Sequence, residues 1–245
     1  MSVEAAKSSA MTVSLADEEA VREILVGSVL GLWDIVNNLS RLRPSKRDCY
    51  RVTIFGSARA KPGSEAYETV KHIATALADM GCDIITGGGP GLMQAANEGA
   101  VAAKAPERCR SVGIRVDLPF EQEANPFVQQ AYEHKTFFSR LHQFVMMSDA
   151  FVVAPGGIGT LLELSMIWQL LQVRHVQDTP LILVGKMWSA LIDWARAHLL
   201  TTQPPLINPN DVAIPRCVES AEEAVAAIRE GHATWLAQTQ GNSAP

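Results

Sequence analysis

Two glycine-rich stretches in this 245-residue chain stand where a main chain could hold an anion. The first is Thr86-Gly87-Gly88-Gly89-Pro90-Gly91-Leu92-Met93 and the second is Ala154-Pro155-Gly156-Gly157-Ile158-Gly159-Thr160. Glycine has no Cβ, so the backbone can approach a ligand closely. Each stretch runs into a helical pattern, whose first turn offers unpaired N–H groups and the positive end of the helix dipole. Both suit a phosphate. Thr160 adds a hydroxyl at that end. The dinucleotide pattern G-x-G-x-x-G fails in both, because Leu92 and Leu162 stand where its last glycine belongs, and the P-loop pattern is absent. One such turn can be a tight connection and nothing more. Two in one chain point to one phosphate-bearing small ligand.

A carboxylate follows the second turn. Thr160-Leu161-Leu162-Glu163 reads as a T-x-x-E capping box, which would give Glu163 a local structural role. The helical wheel opens a second reading. Ser165, Gln169 and Gln172 cluster on one side of this helix, and Glu163 lies opposite, near Met166, Ile167 and Leu170. The helix is otherwise apolar nearly all round, which predicts burial in the core or in an interface. A buried Glu needs a partner or a task. Beside a phosphate site it could stabilise a cation or activate water. Arg140 lies on the preceding helical segment, off the apolar stripe Phe137, Leu141, Phe144 and Val145. Two readings stay open for it, a solvated surface cation or a bidentate phosphate contact. Arg59, in Gly56-Ser57-Ala58-Arg59 after the first predicted strand, is weaker evidence for the same kind of site. The six histidines make no metal-binding pattern, and no G-x-S-x-G elbow occurs, so neither a metal nor a serine nucleophile is expected.

The elements that must position these groups alternate. Strands are predicted at Val52–Phe55, Cys82–Thr86, Ser111–Val116, Ala150–Ala154 and Leu181–Val184. Helices are predicted at Glu65–Met80, Gly91–Lys104, His134–Met147, Thr160–Val173 and Trp188–Leu200. A last helix opens on the capping box Ser220-Ala221-Glu222-Glu223 and runs to about Leu236. Apolar strands alternating with helices mean a parallel sheet covered on both faces. The predicted fold is a Rossmann-like, doubly wound α/β domain over residues 47–245. A helix over residues 17–46 precedes it, with Leu25, Val29, Leu32, Val36 and Leu39 on one face. That face would pack on its own domain or on another subunit. Residues 1–16 read as a mobile tail.

Composition narrows the class. Charged residues make up 19% and hydrophobic residues 47%, enough for a sizeable core. The net charge of −5 argues against a general nucleic-acid binder. No uninterrupted apolar run reaches membrane-spanning length, and the N-terminus lacks the layout of a signal peptide. Cys49, Cys82, Cys109 and Cys217 lie far apart and form no C-x-x-C pair. A cytoplasmic protein with reduced thiols, without membrane or nucleic-acid partners, is expected.

Gly87-Gly88-Gly89-Pro90-Gly91-Leu92-Met93 resembles the GGGxxGLM element of the LOG ("lonely guy") family of cytokinin-activating phosphoribohydrolases. Pro155-Gly156-Gly157-Ile158-Gly159-Thr160-Leu161-Leu162-Glu163 resembles its PGGxGTxxE signature. Leu118 to Pro126 resembles the LPxEQxxNP segment of the longer bacterial members. The resemblance covers roughly residues 50–200. It implies hydrolysis of the N-glycosidic bond of a nucleoside 5′-monophosphate, AMP or an N6-modified AMP, to free base and ribose 5-phosphate. It implies Arg140 and Glu163 as the catalytic pair. Ser57, Gly88, Gly89, Gln122, Gly156, Gly157, Gly159 and Thr160 are implied as substrate or phosphate contacts. It further implies no cofactor and a homo-oligomer, dimer or hexamer. Departures are Leu141 and Leu162 where the family often has Lys and Glu, and Ala105–Arg110 in place of a short glycine turn. The rival reading is a non-catalytic carrier or sensor of a phosphate-bearing ligand such as molybdenum cofactor.

Overall fold

The computed structural model describes residues 18–40, 48–104, 109–117 and 124–241, so the 1–16 segment lies outside the described residues. The chain divides into two compact units, Met1–Ser45 and Lys46–Pro245. The first contains helix α1, Glu18–Ser40. Glu18 and Glu19 occupy its first turn, where the helix dipole favours negative charge.

The second unit is built on seven parallel strands in the order β4-β3-β2-β1-β5-β6-β7. They are β1 (Arg51–Phe55), β2 (Asp83–Thr86), β3 (Ser111–Val116), β4 (Gln130–His134), β5 (Ala150–Val153), β6 (Leu181–Val184) and β7 (Pro215–Val218). The helices are α2 (Glu65–Asp79), α3 (Leu92–Val101), α4 (Phe137–Met147), α5 (Ile158–Gln172), α6 (Lys186–Ala195) and α7 (Ala221–Gly241). The chain winds outward from β1 to β4, then returns to lay β5 beside β1. Order reverses between β1 and β5, and the crevice at such a switch point is where open α/β sheets bind ligands.

Alternation along each strand splits the core in two. Val52, Ile54, Ile84, Val152, Ile182 and Val184 face one side and pack with α2, α3 and α7. Phe55, Ile85, Phe151, Val153, Leu181 and Leu183 face the other and pack with residues of α4, α5 and α6. The doubly wound reading therefore holds, and helices cover both faces of the sheet.

Differences from the sequence expectations lie at the edges. β7 was not expected; Pro215 opens it, and proline is tolerated at the first residue of an edge strand. β4 was not expected either, and it takes His134 from the predicted helix. As the other edge strand it is half exposed, without the apolar run that marks the central strands. Helix α4 instead starts at Phe137, because the Thr136 side chain caps it by accepting from the Ser139 N–H. Phe137, placed on the buried stripe by its spacing, is exposed, while Leu141, Phe144 and Val145 are buried.

Candidate active site

A crevice of about 820 Å³ opens at the β1–β5 switch point. It is lined by the turns after β1, β2 and β5 and by side chains from α4 and α5. Its size falls within the range of small-molecule sites.

Ser57 joins the turns. Its N–H donates to the Pro155 carbonyl at 3.0 Å, and its carbonyl accepts from the Leu92 N–H at 2.9 Å. One residue therefore ties the first glycine turn to the second. Ser57 Oγ accepts from the Arg59 N–H at 3.1 Å, which tightens the turn on which both residues sit. Gly91 has φ +69°, and a Cβ there would collide with the Ser57 carbonyl. Only glycine fits that crossing.

The second turn starts α5. Gly157 is the N-cap and Ile158 the first helical residue, with the Leu161 N–H donating to the Gly157 carbonyl at 2.9 Å. The capping-box reading is thereby overturned. Thr160 is already inside the helix, and no side chain caps it. The N–H groups of Ile158, Gly159 and Thr160 precede the first intrahelical bond, so they are orphan donors at the crevice. A Cβ on Gly156 would collide with Thr160, whereas Gly157 and Gly159 have nothing within 4 Å of theirs. Gly156 lets the Thr160 side chain tuck in, and the other two glycines keep space open. α5 is less buried than its composition suggests. Only Thr160, Leu164 and Ile167 are buried, and Ile158 and Leu162 are exposed.

Arg140 and Glu163 meet in this crevice. The surface reading of Arg140 fails, for it is 9% exposed. Its Nε donates to the Ile114 carbonyl at 2.9 Å, its guanidinium lies 5.4 Å from the Phe144 ring centroid, and Nη1 is 4.0 Å from Glu163 Oε1. A Cβ on Gly87 would collide with the same guanidinium. Burial pushes the Glu163 carboxyl up to about 7, with the Arg140 charge pulling the other way. The site thus holds a carboxyl that changes charge near neutral pH beside a fixed cation.

Of the residues marked out by sequence, the structure brings Ser57, Gly156, Gly157, Gly159, Thr160, Arg140 and Glu163 around one crevice, together with Arg59. In the first glycine turn it is Gly87 that reaches the wall. Gly88, with φ +72°, packs against Gly113 and Arg115, and Gly89 against Met93. Gln122 lies outside the described residues. Sequence reading missed the apolar walls Phe55, Met93 and Met187. It also missed a buried network behind the first turn. There Thr86 Oγ1 donates to Asn97 Oδ1 at 2.7 Å and accepts from the Gly88 N–H at 2.9 Å. Asn97 Nδ2 donates to Ser111 Oγ at 2.8 Å, and Asn125 Nδ2 donates to the Gly89 carbonyl at 2.9 Å and to Asn97 Oδ1 at 3.0 Å. The available signal was Asn97 itself, an amide between Ala95-Ala96 and Gly99-Ala100 on a helix of small residues.

The parallel sheet, its reversed strand order and the crevice at its switch point define a Rossmann-like α/β protein. The sequence model of the family described as "possible lysine decarboxylase" matches residues 93–228. The chain belongs to that family, the LOG family. It is 30% identical over 130 residues to the pyrimidine/purine nucleotide 5′-monophosphate nucleosidase of Escherichia coli (strain K12), a match that covers 51% of this chain and 29% of that enzyme. This chain therefore aligns with under a third of the curated relative's length. Among solved structures, a molybdenum cofactor binding protein from Rippkaea orientalis covers 74% of this chain and 96% of its own, with a TM-score of 0.56 and 19% identity. The molybdenum cofactor carrier protein of Chlamydomonas reinhardtii covers 75% and 99%, with a TM-score of 0.57 and 18% identity. These likenesses establish the shared fold.

Proposed function

We propose that this protein hydrolyses the N-glycosidic bond of nucleoside 5′-monophosphates, releasing the free base and ribose 5-phosphate. The observation that carries the reading is the Arg140–Glu163 pair in a crevice whose floor is a helix N-terminus suited to phosphate. The similarity to the E. coli nucleosidase supports it.

The chemistry follows from the positions. The orphan N–H groups of Ile158, Gly159 and Thr160 hold the 5′-phosphate. Anchoring that end places the anomeric carbon, so binding energy remote from the bond is used to orient it. Breaking the ribosyl–base bond passes through an oxocarbenium-like state. The Glu163 carboxylate stabilises that cation and takes a proton from the attacking water. The Arg140 charge favours the anionic form of Glu163 against the effect of burial, and its guanidinium polarises the departing base, which takes up the proton that the water gave to Glu163. AMP and N6-substituted AMP are the substrates first tested. A carrier of a phosphate-bearing ligand has no need for a near-neutral carboxyl beside Arg140.

The test is release of free base, quantified by chromatography, from AMP, GMP, CMP and isopentenyl-AMP. Turnover of one or more of these supports the reading and ranks the bases. Binding of all four without release contradicts it and favours a carrier or sensor.

A further inference from the structure

The crevice holds two arginines in different states. Arg140 is committed: its Nε donates to the Ile114 carbonyl and its charge is opposed by Glu163 at 4.0 Å. Arg59 stands on the turn after β1, exposed at the crevice wall. Its guanidinium makes no hydrogen bond or ion pair among the described residues. Among the described residues, Arg59 is bonded through its backbone N–H, which donates to Ser57 Oγ. Its main chain is nevertheless fixed, because the Ser57 backbone is bonded to both glycine turns. Arg59 is therefore a full positive charge, without an ion-pair partner among the described residues, at the wall of the crevice that the N-terminus of α5 also lines.

The orphan N–H groups of that turn and the helix dipole favour an anion but amount to partial charges. They do not separate a phosphate dianion sharply from a hydroxyl that can also accept hydrogen bonds. A guanidinium can, because its fork engages two phosphate oxygens with full charge. We propose that Arg59 is the specificity-determining residue for the phosphoryl end of the ligand. It sets the preference for nucleoside 5′-monophosphates over nucleosides. This rests on the nucleoside monophosphate reading above, and it leaves the chemical step to Arg140 and Glu163.

The experiment is calorimetric binding of AMP and of adenosine to the wild-type chain, Arg59→Ala and Arg59→Lys, each checked for an unchanged melting temperature. The expected result is an AMP-over-adenosine affinity ratio that falls roughly tenfold to hundredfold in Arg59→Ala. Arg59→Lys should recover part of it, as a point charge lacking the fork. Raising salt should weaken AMP binding in the wild type more than in Arg59→Ala. A ratio unchanged in Arg59→Ala overturns the proposal, as does a wild type that binds adenosine as tightly as AMP. Wild-type hydrolysis of AMP is scored separately, so failure of catalysis and failure of Arg59 are distinguishable.

Discussion

Nη1 of Arg140 and Oε1 of Glu163 lie 4.0 Å apart, and the side chains are only 11% and 14% exposed. Their elements flank β5 in the chain, with α4 leading into it and α5 leaving it. The pair is a near contact of unlike charges in a partly desolvated crevice. It is not a tight salt bridge, and the Glu163 carboxyl makes no hydrogen bond among the described residues. That arrangement leaves the carboxyl on the edge of ionisation, with burial pushing it up to about 7.

A pH dependence follows. If the carboxylate is the working form, kcat/KM for AMP rises with pH through about 7 and then levels. Arg140→Gln removes the charge that lowers Glu163, so besides slowing turnover it moves that rising limb to higher pH. Profiles measured from pH 5 to 9 check both points. A flat wild-type profile, or a limb that moves to lower pH in the variant, contradicts this role for Glu163.

Stability carries the opposite sign. The folded-state value is raised above the ordinary 4.5, so between the two values the native state binds more protons than the unfolded chain. Stability therefore falls as pH climbs from about 4.5 to about 7 on account of this group. Glu163→Gln, which removes the ionisable group, should be more stable than wild type at pH 8. The gain is at most about 3.5 kcal/mol at roughly 1.4 kcal/mol per pKa unit, and it should shrink towards pH 5. Thermal melts at the two pH values measure it.

Two glycines should separate shape from stability. Ala at Gly87 meets the Arg140 guanidinium, so Gly87→Ala should cost at least tenfold in kcat/KM through a displaced Arg140. Ala at Gly159 meets nothing within 4 Å and needs no left-handed backbone, so Gly159→Ala should be neutral or stabilising by about 0.4–1 kcal/mol. The added methyl on the crevice lining should nonetheless weaken AMP binding. Melting temperatures set beside AMP affinities test the contrast.

Much of this was legible in the sequence, and the reasons for the rest are physical. The five central strands are apolar runs between turn signals, and their placement held within a residue. β4 and β7 are edge strands, exposed enough to lack that signature. Gly156 to Thr160 stood out by composition, and they line the crevice. Thr160 and Glu163 also announced a capping box that does not form, because Gly157 starts the helix three residues earlier. Arg140 looked like a surface residue because wheel geometry sees only one helix. What buries it comes from the Ile114 carbonyl and Gly87, on two other elements.

The buried amide behind the first turn gives a further prediction. Asn97→Ala takes the acceptor from the Thr86 O–H and from one Asn125 N–H, and the donor from Ser111 Oγ. The loss should be about 2–4 kcal/mol of stability. It should also loosen Gly88 and Gly89, which Thr86 and Asn125 hold. Denaturant titration together with amide exchange at these glycines would register both. Loss of stability with no change in exchange at the turn would mean that the network supports the core only.

The most direct test compares wild type with Glu163→Gln on AMP, measuring binding by calorimetry and release of adenine and ribose 5-phosphate in the same preparation. The carboxylate is assigned to the chemical step and the glycine turn to holding phosphate. The variant should therefore bind AMP within a few-fold of wild type while releasing products at least about a hundredfold more slowly. Wild type that binds AMP and releases nothing, or a variant that releases products as fast as wild type, would contradict the account.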